Sequence, residues 1–186
     1  MGRGNIQRRT SKGSGKWRSK NVFNINASCH AWGVKISQIF ISAGHNFFGH
    51  HDRIPDTHPM VSVNQVECIA GQGLLGDRFC GFKENYKGQV TFFSSEVFAE
   101  VCGKLGVSGI SPGVTRRNIV TKGVDLNTLI GREFEIQGVT FAGMAECSPC
   151  HWMNAAIAAG AEAALHGRGG LRARILTDGV LRVDAA

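Results

Sequence analysis

The stretch GREFEIQGVTFAGMAEC, residues 131 to 147, has the residue pattern of a β-hairpin. Its apolar side chains recur at every second position on either side of a Gln-Gly step: Phe134, Ile136, Val139 and Phe141. Residues two apart in a strand share one face, so these side chains are expected to face a common core. Glycine takes positive φ at little cost, which suits a two-residue turn. The stretch therefore predicts two antiparallel strands joined at Gln137-Gly138.

Further short strand patterns, separated by glycines, occupy much of the chain. Period-two alternation marks KISQIFIS, MVSV and part of QVTFF, at residues 35–42, 60–63 and 89–93. In RARILTDGVLRVDAA, Asp178-Gly179 is a second two-residue step between apolar runs, so we expect another hairpin there. Many short strands at this spacing are typical of a barrel or a sandwich.

Two stretches break the β pattern. SSEVFAEVCGKLG, residues 94–106, places its larger apolar side chains on one helical face and ends on glycine, a common helix stop. HWMNAAIAAGAEAALHG, residues 151–167, is rich in alanine, the best helix former. We therefore predict a mainly β, α+β fold in which a few short helices cover a β core.

The positive charge of the chain is concentrated at its N-terminus. The 186 residues carry a formal net charge of +7, from 21 Lys and Arg against 14 Asp and Glu. Seven of the cations precede residue 21, where no acid occurs, which leaves 14 cations against 14 acids in the remainder. A formally neutral body argues against nucleic-acid binding by the folded surface.

Residues 1–33 are expected to form a disordered tail ahead of a single domain at residues 34–186. The first 20 residues are rich in Gly, Ser and cations, and such composition cannot bury enough apolar surface to offset the entropy of ordering. A transit peptide and a misplaced start codon are alternative interpretations. Polar residues interrupt the apolar positions of NVFNINASCHAWG, residues 21–33, so we expect no membrane span and a cytoplasmic protein.

Six cysteines in a chain without a visible export signal are expected to be thiols, because the cytosol keeps most thiols reduced. Four of them stand alone and are expected to pack as small apolar side chains: Cys29, Cys68, Cys80 and Cys102. The other two, Cys147 and Cys150, share a C-x-x-C motif within GMAECSPCHWMN, residues 143–154.

Cys150 is the chemically favoured member of this pair. Ser148 is a good N-cap and Pro149 suits the first helical position, which would place Cys150 in the first turn of a helix. The N–H groups of a helix start favour anions, so this position predicts a stabilised thiolate. Cys147, at the end of the preceding strand, would lack these donors.

Three other roles for the two cysteines stay open at this point. A structural zinc site normally has four ligands, and the chain contains one C-x-x-C motif. A thioredoxin-like dithiol would require βαβ units, which the succession of strands does not indicate. The two cysteines could also simply pack at the junction of a strand and a helix.

Five stretches occur in the order expected of the MOSC domain, the module named after the C-terminal part of molybdenum cofactor sulfurases: GLLGDRFCG, KGQVTFF, TRRNIVTKGVDLNTLIGREFEI, ECSPCHWMN and GRGGLRARILTDG. The chain resembles a single-domain bacterial member over residues 35–184. This resemblance implies a β-barrel that binds molybdenum cofactor (molybdopterin) or carries sulfur for it. The same module occurs in molybdenum-containing amidoxime-reducing proteins.

The resemblance also implies site residues. Cys150 corresponds to the family's second cysteine, which implies either molybdenum coordination by its thiolate or a persulfide carried on its sulfur. Arg116 stands where the family places an anion-binding arginine, and Asn118 lies in the same matched segment. A guanidinium binds the phosphate of a pterin cofactor in bidentate fashion. Without the resemblance, Arg116 and its neighbour Arg117 would be interpreted as a solvated strand end.

Arg78 and Lys87 are further candidate cofactor contacts, although the adjacent Asp77 favours an internal ion pair with Arg78 that fixes a loop. Imidazole is a common metal ligand, and four histidines lie close in sequence: His45, His50, His51 and His58. Their spacing matches no familiar metal site, which favours a loop at the mouth of a pocket.

Three functions follow as hypotheses. The first is reduction of N-hydroxylated compounds at molybdenum held by Cys150, and the second is transfer of a persulfide from Cys150 to an acceptor. The first implies a redox partner protein. The second implies a cysteine desulfurase as partner, because the chain shows no pyridoxal phosphate site of its own. The third is a non-catalytic cofactor-binding or adaptor module in which the cysteines are structural.

Deleting residues 1–33 is expected to leave a folded protein, because this segment contributes cations but little apolar surface. The melting transition of the shortened chain should stay cooperative and within a few degrees of the full-length value, since about 1 kcal/mol shifts such a domain by only a few degrees. Differential scanning calorimetry of both proteins tests this, and loss of the transition would place the segment in the core.

Overall fold

The computed structural model describes residues 22–24, 33–46 and 56–185, with residues 22–24 described as backbone only. Within the predicted tail, Val22–Asn24 forms a short strand, and the rest of residues 1–32 lies outside the described residues. Cys29, His50 and His51 also lie outside them. The extent of the tail therefore stays a prediction.

The described chain contains eleven strands, in chain order β1 Val22–Asn24, β2 Lys35–Ile41, β3 Val61–Val63, β4 Gln65–Ile69, β5 Gly73–Leu74, β6 Val90–Ser94, β7 Ile119–Lys122, β8 Glu133–Ile136, β9 Val139–Glu146, β10 Leu171–Ile175 and β11 Gly179–Arg182. The three α-helices are α1 Ser95–Lys104, α2 Trp152–Ala156 and α3 Ala161–Leu165. Two 3-10 turns occupy Pro112–Thr115 and Leu126–Leu129. None of the described helices is long and apolar enough to cross a membrane.

The strands form two sheets. The larger has the order β1-β8-β9-β10-β6-β7-β2-β3, and the smaller has the order β11-β4-β5. The pairs β1–β8 and β6–β7 are parallel and the other pairs are antiparallel. The mainly β fold with a few covering helices is confirmed, although the edge strands β1 and β3 are not paired to each other among the described residues, so the sheets are open rather than a closed barrel.

The hairpin predicted at Gln137-Gly138 is confirmed. Gln137 and Gly138 have φ values of 51° and 80°, the left-handed conformations that a type I′ turn requires. Phe134 pairs with Phe141 across the hairpin. These two rings and that of Phe92 on β6 lie with centroids 5.2–5.6 Å apart at the centre of the main core.

The hairpin predicted at Asp178-Gly179 is wrong. β10 pairs with β9 and β6, whereas β11 pairs with β4 in the other sheet. The Asp178 carboxylate accepts a hydrogen bond of 2.7 Å from the Ala70 N–H, which directs the chain across to the smaller sheet. Gly179 does not take positive φ; its missing side chain instead makes room for Val139, whose Cγ2 would lie 2.6 Å from an added Cβ.

Helix α1 is confirmed, and the second predicted helix is divided in two. Ser94 caps α1 by accepting a hydrogen bond of 3.1 Å from the Val97 N–H, and Gly106 follows the helix with a φ of 69°. Residues 151–167 form α2 and α3 because the chain reverses at Gly160, which has a φ of 90°. These helices cover a second apolar cluster that includes Phe93, Val101, Met153 and Leu165.

Three of the isolated cysteines pack as predicted. Cys68 and Cys102 are buried and Cys80 is half-buried, and all three are free thiols. Burial raises the pKa of Cys68 to about 12, which is the behaviour of an inert thiol within the core.

Gly143 in β9 is expected to tolerate no side chain, because an added Cβ would overlap the Leu129 carbonyl. The Gly143 N–H also donates to the Arg132 carbonyl at 2.8 Å, so neither strand nor loop can shift freely. Gly143→Ala should destabilise the fold by roughly 1–3 kcal/mol, measured by urea unfolding. In the control, Gly103→Ala in α1, the added Cβ meets open space, and stability should rise by about 0.5–1 kcal/mol. Equal effects would contradict the packing argument.

Candidate functional site

A cleft of about 230 Å³ opens beside the ends of β9 and β10. We call it the arginine cleft, because its described lining contains four guanidinium groups and no carboxylate. It also contains both cysteines of the C-x-x-C motif. The arginines and cysteines of its lining are Arg78, Arg116, Arg117, Arg172, Cys147 and Cys150. The structure thus brings together the predicted residues Cys150, Arg116 and Arg78.

The two cysteines occupy different environments in this cleft. Cys147 is 4% exposed, and its N–H donates to the Gly170 carbonyl at 2.7 Å, which continues the β9–β10 pairing. Cys150 is exposed, and its carbonyl accepts a hydrogen bond of 2.8 Å from the Met153 N–H. Cys150 is therefore the thiol that a ligand or a partner protein can reach.

The predicted helix start at Ser148 is wrong. Helix α2 begins at Trp152, and its N-cap is His151, which makes no side-chain capping bond. Residues 147–150 form neither a turn nor a helix. Cys150 therefore precedes the helix, and the argument from first-turn N–H groups does not apply to it.

The reason for the late helix start lies in the contact between residues 147–149 and Gly169. An added Cβ at Gly169 would lie 2.6 Å from the Cys147 carbonyl oxygen and 2.9 Å from the Pro149 nitrogen. This close approach, together with the hydrogen bond from Cys147 to Gly170, holds the segment extended against the chain that leads into β10.

Arg117 fixes the same segment from the other side. Its Nη2 donates to the Cys147 carbonyl at 2.8 Å, its Nε to the Gly169 carbonyl at 3.0 Å and its Nη1 to the Thr115 carbonyl at 2.8 Å. A guanidinium has five N–H donors, so two of them bond to no described residue. The sequence interpretation of Arg117 as a solvated strand end missed this role.

Arg116 holds the segments that contain Ser42, Gly44 and His58 against the cleft. It has a φ of 57°, an uncommon conformation for a residue with a side chain, and its guanidinium donates to the carbonyls of His58 and Gly44 and to the Ser42 hydroxyl at 2.7–3.1 Å. Burial, reinforced by the charge of Arg78, lowers the pKa of Arg116 to about 10. The predicted anion-binding arginine thus lines the cleft with three donors already used by the protein.

Asp77 and Arg78 form the internal ion pair that the sequence favoured. Asp77 Oδ2 lies 3.2 Å from Arg78 Nη1, and the two side chains are 0% and 6% exposed. The same oxygen accepts hydrogen bonds from the Ser42 N–H at 3.1 Å and from the Asn118 amide at 3.0 Å. Arg78 still reaches the cleft, where its guanidinium lies 4.8 Å from the centroid of the Phe79 ring.

Asn118 and Lys87 lie away from the cleft surface. Asn118 is 0% exposed, and its side chain bonds to Thr91, to the Phe40 carbonyl and to Asp77 beneath the cleft. Lys87 is exposed on the loop before β6 and is not part of the cleft lining.

Of the two described histidines in residues 45–58, one contributes its ring to the cleft. His45 lines it and packs edge-on against Phe79 with ring centroids 4.8 Å apart. Burial lowers the pKa of His45, and the charges of Arg78 and Arg116 lower it further, so the ring is neutral at pH 7. His58 lies 3.4 Å from the Asp56 carboxylate. The described residues contain no group of three His, Cys, Asp or Glu that could hold a metal ion.

The fold and the cleft define a small, mainly β domain that presents an exposed thiol among arginines. A family model described as the MOSC domain matches residues 74–186, more than half of the chain. The chain belongs to the MOSC domain family. No curated protein matches the chain.

Solved structures share this fold. The YuaD protein from Bacillus subtilis is 18% identical, with a TM-score of 0.62 over 81% of this chain and 91% of that chain. YiiM from Geobacillus stearothermophilus is 15% identical, with a TM-score of 0.57 over 80% of this chain and 71% of that chain. YiiM from Escherichia coli is 14% identical, with a TM-score of 0.55 over 83% and 66%. At these identities the likeness concerns the fold.

Removing the Asp77 carboxylate should be costly, because Arg78 would keep its charge in a site with little solvent. Asp77→Ala is expected to lower the free energy of unfolding by roughly 3–5 kcal/mol, the usual result of breaking a buried ion pair from one side. Asp56→Ala is the matched control, since the Asp56 side chain is 63% exposed and its contact with His58 is solvated. Urea unfolding measures both, and a loss below about 1 kcal/mol for Asp77→Ala would contradict the assigned role.

Proposed function

We propose that the arginine cleft binds molybdenum cofactor, with Cys150 as the thiolate ligand of the metal. The observation that carries the proposal is an exposed thiol in a cleft whose described lining contains four guanidiniums and no carboxylate. Thiolate is a soft ligand that suits transition metals, and guanidinium groups suit a phosphate. Membership of the MOSC domain family supports the same ligand.

The surroundings of the cleft fit a ligand with both polar and flat apolar parts. A second cleft of about 340 Å³ adjoins the first and shares Asn46, Arg116 and Trp152 with it. Its walls are more apolar and include Phe40 and Met60. A ligand larger than 230 Å³ could therefore extend from the arginines into this neighbouring space.

The residues of the cleft would have distinct roles in this function. Cys150 would hold the metal, and the bound cofactor would supply two-electron redox chemistry for reduction of N-hydroxylated compounds. Arg117 would keep residues 147–149 in place through the Cys147 carbonyl, while Cys147 itself stays buried. The neutral His45 at the wall would border the ligand without adding charge. Electrons would come from a separate redox protein in the cytoplasm.

A second candidate, persulfide transfer, is favoured by the exposure of Cys150. A cysteine desulfurase must bring the persulfide on its own cysteine into contact with the acceptor thiol. Of the two cleft cysteines, only Cys150 is exposed enough for such an approach. The packing interpretation suits Cys147, which is buried, and does not account for an exposed Cys150. The whole domain for either function would be residues 34–186.

The two functions differ in what the purified protein should contain. The protein should be produced in a host that makes molybdenum cofactor, and its metal, oxidised pterin fluorescence and sulfane sulfur should be measured together with intact mass before and after a reductant. Molybdenum with pterin supports cofactor binding, and sulfane sulfur without metal supports persulfide transfer. Absence of all three would contradict both.

Cys150→Ser should abolish molybdenum retention, or persulfide labelling, because a serine hydroxyl is barely ionised near neutral pH and is a harder ligand. Cys147→Ser is the matched control. It should keep most of the molybdenum or of the persulfide labelling and should mainly weaken the packing around position 147. In the wild type, peptide mapping should find alkylation at Cys150 before Cys147, since Cys147 is 4% exposed. Full molybdenum and sulfur content in Cys150→Ser would remove Cys150 from the site.

A further inference from the structure

Arg172 is one of the residues that line the arginine cleft. It lies on β10, whose residues Leu171, Ala173 and Ile175 are buried in the main core, so the arginine points to the opposite face. In register it faces Thr91 of β6 and Ala145 of β9. The central position of β10 in the larger sheet therefore delivers a guanidinium to the cleft from below.

The guanidinium of Arg172 makes no hydrogen bond or ion pair with another residue that the structure describes. The other three arginines of the cleft are each held by protein acceptors, as described above. Arg174, two residues further along the same face, donates to the Asn85 side chain at 3.0 Å. Arg172 thus differs from the other cleft arginines in that none of its guanidinium donors is used by a described residue.

Gly88 provides the space in which this guanidinium lies. Gly88 is buried, and an added Cβ would lie 3.4 Å from Arg172 Nη1 and 3.2 Å from the Tyr86 ring. A larger residue at position 88 would crowd the arginine. The half-buried position reduces the hydration of the charge, which strengthens its attraction for an anion.

The charge balance of the cleft calls for an anion with more than one charge. Four guanidiniums line it, and the carboxylate that contacts them, Asp77, is already engaged by Arg78 and Asn118. The cleft volume of about 230 Å³ admits a small group rather than a nucleic-acid strand. A tetrahedral dianion offers several oxygens to two planar guanidinium forks at once.

We propose that Arg172 and Arg117 bind a doubly charged tetrahedral oxyanion in the arginine cleft, with Arg172 as the decisive contact. Arg117 is held by three carbonyls and keeps two N–H groups that bond to no described residue, whereas none of the guanidinium donors of Arg172 is used by a described residue. The oxyanion is a phosphomonoester or a free ion such as phosphate or molybdate. Assigning it to the phosphate of a cofactor rests on the proposed function, while the charge argument stands without it.

The test uses the full chain free of cofactor and compares Arg172→Gln with Arg174→Gln, which removes a guanidinium from the same face of the same strand. Inorganic phosphate replaces chloride at constant ionic strength, and the rise in melting temperature is followed with phosphate concentration. The wild type and Arg174→Gln should be stabilised equally. Arg172→Gln should need at least about tenfold more phosphate for the same shift. No phosphate response in the wild type, or equal responses of the two variants, would overturn the proposal.

A more conservative pair covers the case in which Arg172→Gln does not fold. Arg172→Lys keeps the charge and the aliphatic stem but loses the planar fork, so it should bind phosphate less tightly than Arg174→Lys does. Equal binding by the two lysine variants would again overturn the proposal.

Two further comparisons identify the source of the anion and distinguish this inference from the proposed function. Stronger stabilisation by an alkyl phosphomonoester than by phosphate or molybdate supports a cofactor phosphate, and the reverse supports a free oxyanion. Molybdenum and pterin in the purified wild type, with no effect of Arg172 on phosphate binding, would refute this inference and leave the proposed function standing. Arg172-dependent phosphate binding in a protein that never retains molybdenum would support this inference and refute the proposed function.

Discussion

The carboxylate of Asp77 is the constraint on which the rest of the site depends. It has no exposed surface, and it accepts hydrogen bonds from the Ser42 N–H, the Phe79 N–H, Arg78 and the Asn118 amide. Those donors come from the end of β2, from the turn that follows β5 and from the start of β7. A buried carboxylate is stable only when its acceptors are satisfied, so these three segments must meet in one arrangement.

That arrangement explains how a formally neutral body can contain a strongly positive cleft. The single carboxylate at the base compensates Arg78, while Arg116 and Arg117 are fixed by uncharged carbonyls rather than by acids. Carbonyls orient a guanidinium without cancelling its charge. The positive electrostatic potential is therefore concentrated at the cleft. A net charge summed over the whole sequence does not reveal this local excess of positive charge.

Local patterns in the sequence predicted the elements whose cause is local. The Gln137-Gly138 hairpin and helix α1 depend on turn and cap residues within a few positions, and both formed as expected. Asp178-Gly179 has the same local chemistry, yet β11 pairs with β4 because the Asp178 carboxylate bonds to Ala70, more than 100 residues away in sequence. Ser148 failed as a helix cap for a similar reason, since Gly169 and Gly170 hold its segment extended.

The sequence likewise predicted some residues of the candidate site and missed others. Motifs in the sequence located Cys150, Arg116 and Arg78, which the fold gathers in one cleft, but they did not distinguish Asn118, which lies beneath it. Arg172 was passed over because an arginine between strand residues looks like any solvent-facing position. The alternation of LRARI, residues 171–175, did contain the signal, since apolar residues on one face of a central strand leave an arginine on the other.

The loop that carries Cys150 is attached to the protein through its main chain. The Cys147 N–H bonds to Gly170, the Cys147 carbonyl to Arg117 and the Cys150 carbonyl to Met153, and none of these bonds involves a sulfur atom. The scaffold thus specifies where the residue at position 150 stands and not what that residue is. Other side chains could be exchanged at position 150 on an unchanged backbone, which makes this domain a natural platform for redesigning the chemistry of the cleft.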